Sequence, residues 1–128
     1  ESPLLAFGAQ RRRLLVPLAR CVALGAGPLR PLRRLLARLR AGLAAGDLAL
    51  LPEAHALAAG LKAVATADAH AALDQCRQAC GGHGYSALNG LAQLQRDFAV
   101  MGTWEGDNSV MAQQTARFLV KSLRAARR

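Results

Sequence analysis

Apolar and polar positions along this chain follow the rhythm of helices rather than strands. From Leu29, leucines at 29, 32, 35, 36, 39 and 43 recur in steps of three and four, with Arg30, Arg33, Arg34, Arg38 and Arg40 between them. Such spacing puts an apolar stripe and a basic face on one α-helix, which Gly46 ends. Ahead of it, Gln10 to about Leu24 is arginine-rich and then apolar, with Pro17 inside. Proline lacks the N–H and crowds the preceding turn, so a kink or a late start is expected there. The segment "GAGP" at 25–28 separates these two helices. A long alanine-rich helix is predicted from Pro52 to about Cys80, closed by Gly81 and Gly82. Pro52 suits a first turn because its missing N–H has no partner there, and glycine suits the end. Leu57, Leu61, Val64, Leu73, Cys76 and Cys80 mark the expected buried side. A last helix is predicted from about Ser109 to Leu123, capped by Asp107 or Asn108. Val110, Met111, Phe118, Leu119 and Leu123 lie within reach of one broad face of it. No stretch alternates with a period of two. The expectation is all-α: one domain over residues 1–128, an up-and-down bundle of about four helices.

Composition sharpens this only in part. The 128 residues are 52% apolar and 20% charged, a globular rather than a disordered balance. The net charge of +9 sits at the front, where residues 1–45 hold nine arginines against Glu1. A solvated helix face accounts for that basicity; nucleic acid, anionic lipid or a phosphate-bearing ligand are the alternatives. Cys21, Cys76 and Cys80 form no disulfide-like framework, which favours a reducing compartment. Uncharged runs such as Cys21–Leu29 are too short to span a bilayer, and no basic-then-apolar leader is visible.

Between Cys76 and Val110 the composition changes to "CRQACGGHGYSALNGLAQLQRDFAVMGTWEGDNSV". Cys76, Cys80 and His83, with His55 or His70 as a fourth, are candidate zinc ligands by type, but the second matching ligand pair of standard spacing is missing. Cysteines four apart on an alanine-rich helix are more simply small apolar side chains, so no metal is expected. In "GGHGY" at 81–85 the glycines serve a sharp helix end or a close backbone approach to a phosphate. His83 is read as a polar loop residue, and Arg96–Asp97 as a local ion pair or loop anchor. Capping explains Asp107. Glu105 is different: it stands between Trp104 and Gly106, with apolar cover on one side and bare backbone on the other. A carboxylate so placed is suited to accept a substrate proton.

These segments carry a resemblance. "LPEAHALAAGLKA" at 51–63, "CRQACGGHGY" at 76–85, "RDFAV" at 96–100 and "WEGDNSVMAQQTARFLVKSL" at 104–123 resemble the acyl-CoA oxidases of the acyl-CoA dehydrogenase superfamily. The likeness covers residues 47–128 in the family's order and spacing, and "FGAQRRRLLVPLA" at 7–19 resembles the opening of the same helical domain. It implies the first C-terminal helical bundle of a flavoprotein whose N-terminal α and central β domains are not in this chain. It implies FAD as cofactor, a fatty acyl-CoA substrate and a homodimer, without nucleic acid or a membrane span, in the peroxisome (or the cytoplasm of a bacterium). The family's base falls on Glu105, which removes an α-proton while a β-hydride passes to the flavin and oxygen becomes hydrogen peroxide. The base's own backbone N–H helps hold the thioester oxygen. By position, Gln78, Gly81, Gly82 and Gly84 meet the adenine–pyrophosphate half of FAD, often that of the neighbouring subunit. Asp107 and Asn108 touch flavin, and Trp104 and Gly106 lie beside substrate. The sequence departs from the family at Trp104, for the usual Phe or Tyr, at Ser109, for Thr, and at Gly8, often Gln. The bulkier Trp104 is expected to shorten the acyl pocket. A non-catalytic paralogue and a basic module binding nucleic acid or anionic lipid are the other expectations.

Overall fold

The computed structural model describes residues 2–127. It is all-α: α1 (Gly8–Ala26), α2 (Leu29–Leu43), α3 (Leu51–Ala79), α4 (Leu91–Ala99) and α5 (Asn108–Ala126), with no strand among the described residues. The expected helices are all present. Pro17 does not end the first: α1 runs through it, and the ring is buried.

The 29 residues of α3 extend ~44 Å at the usual helical rise, and every other helix packs on it. Gln10 of α1 donates to the Ala79 carbonyl at 2.7 Å, and Arg20 meets Asp68 at 3.4 Å, so α1 lies antiparallel along the C-terminal half of α3. Beyond the break at Gly27–Pro28, α2 continues in the same direction. Leu29 and Leu32 approach Ala58, Leu61 and Ala65, while Leu35 and Leu39 pack with Ala54, Leu50 and Leu57. On another face of α3, α4 meets its C-terminal half through Gln95, and α5 its N-terminal half through Thr115. The up-and-down alternation therefore holds between three lines: α1–α2, α3 and α4–α5. Both outer lines break opposite the same turn of α3, residues 61–66.

Small side chains make this closeness possible. Ala54, Ala56 and Ala59 are buried, and a Cβ at Gly60 would stand 3.0 Å from the Thr115 hydroxyl. That hydroxyl donates to the Ala56 carbonyl at 2.8 Å. The buried apolar side chains among the described residues are these alanines with Pro17, Leu35 and Leu39, a thin core.

Several expected positions fall elsewhere. Val64 is exposed, on a flank of α3 that neither line covers, and Cys80 is exposed because the helix ends at Ala79. Val110, Leu119 and Leu123 are exposed too. Packed on α3, α5 half-buries the stripe Met111, Gln114, Thr115 and Phe118 instead. The stretch between α3 and α5, where the composition changes, is itself largely helical, with a 3-10 turn at Gly81–Tyr85 and then α4. Arg96 and Asp97 do not pair: neighbours in a helix point apart, and Gln93 bridges them, bonding each at 2.6 Å.

Candidate active site

The turn between α4 and α5 is built from short-range bonds and one long reach. The Thr103 hydroxyl and the Trp104 N–H both donate to the Val100 carbonyl at 3.0 Å, closing the end of the α4 line. The Trp104 indole N–H reaches the Met101 sulfur at 2.9 Å, and the ring remains half exposed. Glu105 then adopts φ +56°, and it is the only non-glycine residue with positive φ among those described. A side chain in this left-handed region costs on the order of 1 kcal/mol or more, so the surroundings must impose it. Gly106 follows at φ +109°, where a Cβ would press on the Met111 side chain. Asp107 caps α5, accepting from the Ser109 N–H at 2.8 Å. This bond, with Lys62 nearby, holds its carboxyl below the ordinary range.

Asn108 does not share the capping. Its side-chain amide donates to the Thr66 hydroxyl at 2.9 Å, and its amide oxygen accepts from the Lys62 ammonium at 2.8 Å. Lys62 also donates to the Gly106 carbonyl at 2.6 Å. Neither Lys62 nor Thr66 was singled out in the sequence, although a signal was there. They stand one turn apart in an otherwise uncharged, alanine-rich stretch of α3. Glu105 is solvent-exposed and, with His55, Ala58, Ala59, Lys62 and Met111, lines a recess of about 230 Å³. No acceptor for the Glu105 backbone N–H is found among the described residues, which leaves that donor open.

The glycine turn stands apart, about sixteen residues further along α3, or ~24 Å at the helical rise. The structure brings Trp104, Glu105, Gly106, Asp107 and Asn108 together but does not bring Gln78, Gly81, Gly82 or Gly84 to them. Each glycine of the turn has its own reason. Gly81 has φ +58°; Gly84 is buried where a Cβ would overlap the Arg77 carbonyl. Gly82 has neither constraint, and nothing lies within 4 Å of where its Cβ would be. Beneath the turn, Asp74 accepts from Arg77 at 2.7 Å, Gln78 at 2.7 Å and Gln95 at 3.1 Å, joining α3 to α4. The Arg77 bond is the main cause of Asp74's lowered pKa. Arg77 also sits 4.7 Å over the Tyr85 ring. Among the described residues no cluster of three or more metal-ligating side chains occurs, and no helix is long and apolar enough to cross a membrane.

Residues 1–120 match the family described as acyl-CoA oxidase, C-alpha1 domain. The chain belongs to this acyl-CoA oxidase family. Human peroxisomal acyl-coenzyme A oxidase 1 is 52% identical over 85 residues, covering 66% of this chain and 13% of that protein. The mouse protein of the same name is 44% identical over 124 residues, 94% of this chain and 18% of its own length. The solved structure of Arabidopsis thaliana acyl-CoA oxidase 1 superposes with a TM-score of 0.85 at 38% identity, over 96% of this chain and 19% of that one. The chain thus spans under a fifth of these acyl-CoA oxidases.

Proposed function

We propose that this chain supplies the proton-abstracting part of an FAD-dependent acyl-CoA oxidase. The whole protein would desaturate fatty acyl-CoA to trans-2-enoyl-CoA in peroxisomal fatty-acid β-oxidation. Within the family shown above, the observation that carries this reading is the turn at 104–108. It presents a carboxylate at the mouth of a recess, with a backbone donor beside it that has no acceptor among the described residues.

The α-proton of a thioester is too weakly acidic for a carboxylate unless the charge developing on the carbonyl oxygen is stabilised where it forms. Glu105 serves both needs. Its carboxylate takes the proton, while its N–H, without an acceptor among the described residues, donates to the thioester oxygen. Gly106 leaves room for the substrate beside the base, and Trp104 covers the acyl side. A bound flavin would supply the acceptor for the β-hydride and the redox chemistry by which oxygen becomes hydrogen peroxide.

The residues fit such a cofactor unevenly. Gly82 offers bare, open backbone that nothing inside the chain requires. The turn lies at the negative end of the α3 dipole, with Arg77 engaged by Asp74, so it suits the adenine better than the pyrophosphate. Gly84 is glycine for the sake of Arg77, and it holds the turn in shape. Gln78 is exposed beside the turn, with its amide donating to Asp74. Asp107 and Asn108 have their side chains occupied by α5 and α3, so their contribution to flavin is through the backbone at the start of α5. The separation of the two groups along α3 supports a homodimer in which the halves of one flavin meet different copies.

The test is Glu105→Gln in the full-length protein. Peroxide formation should fall roughly 10²–10⁴-fold, the usual worth of a positioned base, with flavin content retained. Unchanged peroxide production rejects the assignment.

A further inference from the structure

We infer that Lys62 is the positioning residue that holds Glu105 in its working conformation, an inference that rests on the proposed oxidase role of Glu105. Three observations carry it. First, every hydrogen bond found between the 103–108 turn and α3 among the described residues involves Lys62 or Thr66. Lys62 alone makes contact on both sides of Asp107, taking the Gly106 carbonyl at 2.6 Å and the Asn108 amide oxygen at 2.8 Å. Thr66 complements this. Its hydroxyl braces the same amide, 2.9 Å from the Asn108 amide nitrogen and 3.1 Å from the amide oxygen that accepts from the ammonium.

Second, the Glu105 backbone has an unfavourable conformation that its own sequence does not explain, with φ +56° at a residue carrying a side chain. Holding the Gly106 carbonyl against α3 orients the peptide plane after Gly106 and restrains the path of Glu105 just before it. Removing the ammonium frees Glu105 to relax to negative φ, which would swing both its carboxylate and its N–H away from a shared substrate.

Third, the cation stands at a helix start that disfavours positive charge, and the neighbouring Asp107 carboxylate offsets that cost. Asn108 is the first residue of α5, and a helix start carries partial positive charge that favours acids, not lysine. A residue serving only to stabilise α5 would be of the opposite sign there, as Asp107 is. Lys62 also lines both the Glu105 recess and the apolar recess beneath α1 and α2, so it stands where both outer lines are interrupted.

The experiment compares Lys62→Met, Lys62→Arg and Glu105→Gln in the full-length protein, measuring kcat, KM and flavin content together. Lys62→Met is expected to lower kcat roughly 10–100-fold, the scale of a displacement of about 1 Å at a reacting group. KM and flavin content should stay near the parent values, and Lys62→Arg, which can reach the same two acceptors, should recover part of the loss. Parent kcat in folded Lys62→Met overturns the inference. So does a loss that appears equally in flavin content, since that marks a merely structural role. If Lys62→Met does not accumulate, Lys62→Gln, which keeps a donor, is judged by the same criteria. Loss of turnover in Glu105→Gln beside an unaffected Lys62 variant rejects the positioning role alone. Unaffected turnover in Glu105→Gln rejects the proposed function itself.

Discussion

Gly82 and Gly84 stand two residues apart in the same turn and lack side chains for different reasons. Gly84 is buried under Arg77, whose carbonyl occupies the space a methyl group would need. Gly84→Ala is therefore expected to force the turn off the end of α3 and to lower the melting temperature of the protein by several degrees, followed by circular dichroism. A Cβ at Gly82 would have no atom of the described residues within 4 Å. Gly82→Ala should melt like the parent, and its effect should appear only as weaker flavin retention in the full-length protein. A melting loss as large as that of Gly84→Ala would place Gly82 in the packing instead. The sequence shows three glycines in four residues; only the backbone angles and the neighbour of each separate a cap from a close approach.

At the scale of elements, two aspartates fasten helices. Asp107 caps α5, and Asp74 ties α3 to α4 through Arg77 and Gln95. Both have pKa values lowered from the ordinary 3.8, Asp107 chiefly by the Ser109 N–H and Asp74 chiefly by Arg77. A depressed folded value means the stabilisation is complete above the ordinary value and is lost as pH falls through the folded one. Helicity should accordingly begin to decline below about pH 4, and Asp74→Asn combined with Asp107→Asn should flatten that acid limb. An acid transition unchanged in the double variant would assign it to other carboxylates. Helix ends at Gly27–Pro28 and at Gly81, and the cap at Asp107, were legible because each depends on a local backbone rule. So was the turn around Glu105, where aromatic, acid and glycine stand together. α4 was not: its nine residues lie among glycines, and the short pattern "LAQLQRDFA" gives few turns for a period to show. Lys62 was hidden for another reason. Its meaning arises from acceptors 44 and 46 residues away, which no spacing along α3 reveals.

For the whole molecule, the thin core sets the terms. Pro17, Leu35, Leu39 and three alanines are the buried apolar residues among those described, while Leu15, Val16, Leu18 and Val22 of α1 and Trp104 stand exposed. Apolar surface of this extent marks faces that other parts of a protein cover. The 128 residues alone are thus expected to bind a hydrophobic dye, to take up flavin weakly or not at all, and to form no peroxide from acyl-CoA. A yellow, stoichiometric flavin complex of this chain by itself would contradict that. The basic face of α2 follows a different logic. Leu35, Leu36 and Leu39 pack toward α3, and the ion pairs found among the described residues are Arg20–Asp68 and Arg77–Asp74, so Arg30, Arg33, Arg34, Arg38 and Arg40 meet solvent.

The last helix has apolar residues on two sides. Met111 and Phe118 turn toward α3, while Val110, Leu119, Val120 and Leu123 turn away from it. Inherited variation along α5 therefore sorts into two kinds of defect. Changes on the first stripe would leave a chain that never matures, whereas changes on the second would leave a sound piece that fails to join its neighbours.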